Sequence, residues 1–255
     1  MKNWALILGA SSGIGAACAK ALAKQGINIY GIYLRKKASY IEELTHELLQ
    51  YNVEVVYQKA NASSEDNIKN IVADLQLKKD IKIKMLIHSI AFGTLKNMID
   101  KDNNDLNKKN IEMTLDVMSN NLIYWTQAIY KAKLFQPGSH ILSMTSAGGR
   151  KNWKNYGAIR LAKAGIESIC RQLSIELAPY QIAVNAIQAG VTDTAALRKI
   201  PGSDIMIENA IKNNPHCRLT KPEDVAEVVS MLSSYDSSWM TGNIIRVDGG
   251  EDITG

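Results

Sequence analysis

Tyr156 and Lys163 stand seven residues apart in Asn155-Tyr156-Gly157-Ala158-Ile159-Arg160-Leu161-Ala162-Lys163-Ala164, a short way past Ser143-Met144-Thr145-Ser146. A lysine ammonium near a phenol lowers its pKa from about 10 toward working pH, and neighbouring hydroxyls can complete a proton-donating centre. On a helix the two residues share one face, a spacing that ordinary helix residues also show. The pair gains meaning only from the elements that position it.

The first of these elements is an apolar run, Trp4-Ala5-Leu6-Ile7-Leu8, followed by an alanine-rich helical pattern over 14–25 that Gly26 stops. Between them lie Gly9, Ser11, Ser12, Gly13, Ile14 and Gly15, in which G-x-x-x-G-x-G spacing lets backbone turn sharply and approach a pyrophosphate at a helix N-terminus. A second strand is expected over 28–33. Where an NAD-preferring site would offer the ribose an acid, the chain has Tyr33-Leu34-Arg35-Lys36-Lys37. The fork of Arg35 suits a 2′-phosphate, so NADPH is the expected cofactor; the same charges would also solvate the start of a helix.

Helix then alternates with strand. Helices are predicted over 38–51, 64–79, 111–133 and 152–178 and from about Pro222; strands over 53–59, 85–89, 139–144, 183–189 and 243–247; and a loop with a helix start over 94–110. Such alternation calls for a parallel sheet with right-handed crossovers and helices on both faces, as a single domain over 1–255. Gly9, Arg35, Asn61, Ser89, Ser143 to Ser146 and Gly190 would all fall at strand ends on one rim. Agreement among them is stronger evidence than any one motif.

Composition narrows the remaining classes. With 255 residues, 46% hydrophobic and 22% charged, the chain buries a sizeable core, and its net charge of +5 is dispersed among acids and amides rather than striped for nucleic acid. Cys18, Cys170 and Cys217 are scattered, which argues against a disulfide framework and against a metal cluster. No apolar run reaches spanning length, and the start runs straight into a strand, so a cytoplasmic protein without a membrane partner is expected.

Taken together with Arg218-Leu219, Pro222 to Ala226 and Val247-Asp248-Gly249-Gly250, these motifs resemble the short-chain dehydrogenase/reductase family over the whole chain. In the commoner branch of that family the tyrosine stands four residues before the lysine, a place held here by Ile159. The phenol at Tyr156 gives Y-x6-K spacing, which is similar to the enoyl-acyl-carrier-protein reductases. His88-Ser89-Ile90-Ala91 and Ala189-Gly190 resemble them too, and Met118 occupies the place of a relay asparagine, with Asn120 and Asn121 close by. The glycine loop is similar to a variant type that uses NADPH. Ser146 stands where many enoyl reductases carry a second tyrosine.

The resemblance implies hydride transfer from NADPH to the C=C of a trans-2-enoyl thioester, with Tyr156 at the developing enolate and Lys163 serving both ribose and enolate. Ser146 would bond the carbonyl or cap its loop. Cofactor contacts are implied for Gly9, Ser11, Ser12, Gly13, Ile14, Gly15, Arg35, Asn61, Ala62, Ser89, Ile90, Ala91, Lys163, Gly190, Val191, Thr192 and Thr194. It further implies a doubly wound α/β Rossmann fold with a seven-stranded parallel sheet, a substrate lid at about 195–214, an acyl carrier protein as partner and a homotetramer. His88 is expected to be structural, and Cys18 and Cys170 to be core. A carbonyl or 3-oxoacyl thioester reductase, or a non-catalytic NADP(H)-binding regulator, would use the same scaffold.

Overall fold

The computed structural model describes residues 2–254. One sheet of seven parallel strands runs in the order β3-β2-β1-β4-β5-β6-β7: β1 Lys2–Leu8, β2 Asn28–Tyr33, β3 Val55–Lys59, β4 Ile81–His88, β5 His140–Ser146, β6 Ala183–Ala189 and β7 Ile244–Val247. The order reverses at β1, so the crevice for a ligand opens between the ends of β1 and β4. In register, Leu8 meets His88 and His88 meets Ser143, while Ser146 meets Ala189 and Ala189 meets Val247. The chemistry-bearing strand ends therefore share one rim.

Strand residues read as continuous apolar runs because both faces are covered. Trp4, Leu6 and Leu8 point into one layer with Ile71 and Leu75 of helix α3 (Glu65–Leu77), Trp125 of α5 (Asn121–Lys131) and Cys170 of α6 (Gly157–Leu177). Ala5 and Ile7 point the other way, onto Cys18 and Leu22 of α1 (Gly13–Lys24), Leu44 and Leu48 of α2 (Ala38–Leu49) and Val225 and Val229 of α8 (Pro222–Ser233). Both cysteines are buried, as expected. Burial of each large side chain contributes about 1.5–3 kcal/mol.

Several boundaries differ from the sequence reading. β4 starts at Ile81 rather than at 85. The helix expected over 111–133 is instead α4 (Lys108–Leu115), one wide turn over Asp116–Asn120, and then α5. The strand expected to end at 144 runs on to Ser146. The helix expected from 152 begins at Gly157, because Asn155 takes a left-handed conformation at φ 63 that asparagine tolerates and a continuing helix does not. No helix among the described residues is long and apolar enough to cross a membrane.

Candidate active site

Gly9 ends β1 at φ +87, with room for a Cβ only 2.4 Å from the Ser89 carbonyl oxygen. The glycine is required by this close approach, and Gly15 likewise, since its Cβ would lie 2.2 Å from the Gly9 carbonyl oxygen. Ser12 stands at the head of α1 without a side-chain cap, so the first amides of the helix remain available to an anion. Across the loop, the Thr194 methyl is 3.5 Å from where a Cβ of Gly13 would sit. A cradle of glycines under an uncapped helix start fits a dinucleotide pyrophosphate. Ser11, Ile14 and Arg35 border the same loop.

Other rim residues are held mainly by the fold. The Ser89 amide donates to Leu8, the Trp125 indole donates to the Ala62 carbonyl at 2.8 Å, and the Asn61 side chain accepts from the Ser63 amide. Ile90 packs against the core while Ala91 is exposed. Gly190 has no room for a side chain against Thr220, Glu251 and Asp248; the Val191 amide donates to Glu251, and the Thr192 hydroxyl donates to the Gly190 carbonyl.

Tyr156 lies against Gly148 in the serine loop, and Lys163 reaches back to the end of β5. Lys163 is buried to 7% exposure, and its ammonium donates to the Met144 carbonyl at 2.6 Å. Burial pushes its pKa down to about 8, and Glu167, one turn further along α6, opposes that shift. Glu167 is itself buried and accepts from the Thr145 hydroxyl at 2.7 Å. Sequence reasoning missed this carboxylate, whose signal was its i,i+4 spacing from Lys163. Tyr156 lies just before α6 with φ −99 and ψ 7, so it stands in the turn at the head of the helix that carries Lys163 and not within that helix. Burial raises its pKa above the usual phenol value, with the Ser146 hydroxyl opposing. Ser146 also accepts from the Gly148 amide at 3.3 Å, the loop-capping role, while Gly148 itself leaves space for the tyrosine ring.

Behind the phenol the site is dry. Met118, Ile159 and Ala162 form a buried cluster against which Leu95, Leu115, Val117 and Tyr156 pack. The wide turn at 116–120 carries Met118 into this cluster and leaves Asn121 at the start of α5, where its side chain pairs with His88 at 2.6 Å. His88, expected to lack a partner, thus has one. Its other ring nitrogen is buried and unpaired, and burial pushes its pKa down to about 4.

The segment at 195–214 comprises a single turn at Leu197–Lys199 and helix α7 (Ser203–Asn213). Leu197 and Ala210 are buried, Ile205 is exposed, and the Trp153 indole donates to the Pro201 carbonyl at 3.1 Å. Arg198 ties the turn to Asp193 and Asp204.

A family model described as enoyl-(acyl carrier protein) reductase matches residues 9–251. The chain belongs to this enoyl reductase family. Among the relatives of this chain, the enoyl-[acyl-carrier-protein] reductase [NADH] of Enterococcus faecalis is 29% identical over 94% of this chain and 93% of that one. The 3-oxoacyl-[acyl-carrier-protein] reductase of Thermotoga maritima is 28% identical over 96% of each. The crystal structure of the enoyl-[acyl-carrier-protein] reductase (NADH) from Aquifex aeolicus matches with a TM-score of 0.85 at 25% identity, covering 100% of this chain and 97% of that one. Short-chain reductases of both kinds share this sheet, so the family alone leaves the reduced bond open.

Proposed function

We propose that this oxidoreductase reduces the C=C bond of a trans-2-enoyl thioester with NADPH. The observation that carries the reading is Ile159. At the place where the commoner branch has its phenol stands an isoleucine at 7% exposure, packed with Met118 in an apolar cluster. The phenol of Tyr156 comes instead from the preceding turn. An oxygen two atoms removed from the hydride acceptor needs a donor displaced in this way.

When bound, the reduced nicotinamide supplies hydride to the β-carbon of the enoyl thioester. Tyr156, with its pKa raised by burial, stays protonated and donates to the thioester oxygen as charge develops there. Lys163 spends one of its donors on the Met144 carbonyl and keeps two for the nicotinamide ribose, while its charge stands beside the enolate. Ser146 holds the loop and tunes the phenol. Gly9, Gly13 and the head of α1 take the pyrophosphate, and Thr192 and Thr194 the nicotinamide side. Asn61, Ala62, Ser89, Ile90, Ala91, Gly190 and Val191 contribute backbone and shape to the cofactor groove.

Arg35 supports NADPH, in contrast to the NADH named for the Enterococcus and Aquifex relatives. The acyl group arrives on an acyl carrier protein under the segment at 195–214. Exposed Tyr124, Tyr130, Leu161 and Ile175 on α5 and α6 support assembly into a homotetramer. The second reading, 3-oxoacyl thioester reduction, has the Thermotoga relative in its favour. Crotonyl and acetoacetyl thioesters offered separately with NADPH, with products identified by mass, test the two. Saturation of crotonyl is expected; reduction of acetoacetyl alone would overturn the proposal.

A further inference from the structure

We infer that Phe92 is the platform that positions Arg35 for the cofactor's 2′-phosphate, a specificity-determining role that rests on the NADPH reading above. Arg35 follows β2 and Phe92 follows β4, the two strands that flank β1. The pair therefore bridges the end of β1, where the Gly9 loop turns. The guanidinium carbon of Arg35 lies 3.6 Å from the Phe92 ring centroid, a close face-on cation–π contact.

Stacking occupies the flat face of the guanidinium and leaves its N–H donors, which lie around the edge, free for a bidentate acceptor. Arg150, Arg198 and Arg218 each close on an aspartate, whereas Arg35 closes on a ring. Lys36, the neighbouring cation, lies over the ring of Tyr40 in the first turn of α2 at 4.6 Å. Arg35 is exposed, so without the ring its long side chain would sample many rotamers and lose them on binding phosphate. Phe92 removes that freedom in advance. The ring itself is exposed at 36%, and it is not part of the buried core clusters.

The test uses the full chain and two nucleotide probes, 2′,5′-ADP and 5′-AMP, titrated by calorimetry without turnover. Phe92→Leu, and Phe92→Met as a second variant lacking an aromatic face, should weaken 2′,5′-ADP by about 2- to 30-fold, the range of a single cation–π contact, and leave 5′-AMP unchanged. Phe92→Tyr should restore the wild-type ratio. In an Arg35→Ala background, Phe92→Leu should add nothing. A wild-type preference for 2′,5′-ADP that Arg35→Ala abolishes and Phe92→Leu leaves intact would overturn this inference alone. Equal loss of both probes in Phe92→Leu would do the same, marking a packing role. Equal binding of the two probes by the wild type would overturn the NADPH reading and this inference with it.

Discussion

Replacing Glu167 with Gln should move the alkaline limb of kcat/KM to lower pH, and it should do so through Lys163. The two residues stand four apart on α6 and are both buried. Burial takes Lys163 from 10.5 to about 8 while Glu167 holds it up. That fall corresponds to about 3 kcal/mol against the charged form. Helix neighbours at this spacing lie about 5–6 Å apart, and at an effective dielectric of about 20 the attraction is at most about 3 kcal/mol, or about 2 pH units. The limb should therefore drop from near 8 by about 1–2 units. The glutamine keeps an oxygen for the Thr145 hydroxyl, so geometry is preserved. The assay is kcat/KM for NADPH at saturating crotonyl thioester, which reports the free enzyme. Tyr156 titrates above this window because burial raises it. Stability must move oppositely: the unfolded lysine keeps its proton to about 10.5 and the folded one releases it from about 8, so stability rises over the interval in which activity falls. An unmoved limb, or one moved upward, would refute the assignment.

Tyr156→Phe should lower kcat by about 10²–10⁴-fold with NADPH affinity retained, whereas Lys163→Ala should damage both, as steady-state kinetics and cofactor titration will show. His88, neutral in the fold down to about 4 against 6.5 unfolded, should cost stability progressively as pH falls between those values, by up to about 3 kcal/mol in urea unfolding; His88→Gln should flatten that loss. Gly9→Ala should destabilise the chain by more than about 1 kcal/mol in the same assay, and weaken cofactor binding, because its methyl meets the Ser89 carbonyl at a backbone angle that alanine resists.

The strands and their common rim were legible because a buried parallel strand is an uninterrupted apolar run, and the runs at Trp4–Leu8 and Ala183–Ala189 admit little else. The start of α6 was not legible: Lys151 to Tyr156 contains no strong helix breaker, and only the left-handed Asn155 reveals the turn. The wide turn at 116–120 was hidden for a related reason, since hydrophobic periodicity continues through it and an inserted residue alters register without altering composition. Tyr156 and Lys163 were found from residue type and spacing. Glu167 and the Asn121–His88 pair were not, because a carboxylate and an amide inside a helix look like solvated residues until tertiary packing buries them.

The turn that delivers Tyr156 also touches the segment proposed as the substrate lid. Trp153, three residues before the phenol, donates to the Pro201 carbonyl and packs against Gly202, so the hinge of the 195–214 segment is fastened to the same short loop that orients the tyrosine. On its other side the loop leads into Gly157, where Met98 fills the space a side chain would need. Raising α7 to admit an acyl thioester would break the Trp153 contact and loosen the backbone that sets the phenol's direction. Closing it would restore both together. In the proposed reaction this arrangement ties the proton donor's alignment to the presence of a seated substrate, whereas Lys163, anchored from within α6 to the Met144 carbonyl, keeps its place whether the lid is open or shut. On the proposed mechanism, cofactor binding through the lysine would be independent of the lid, and only the step that needs the tyrosine would wait for it.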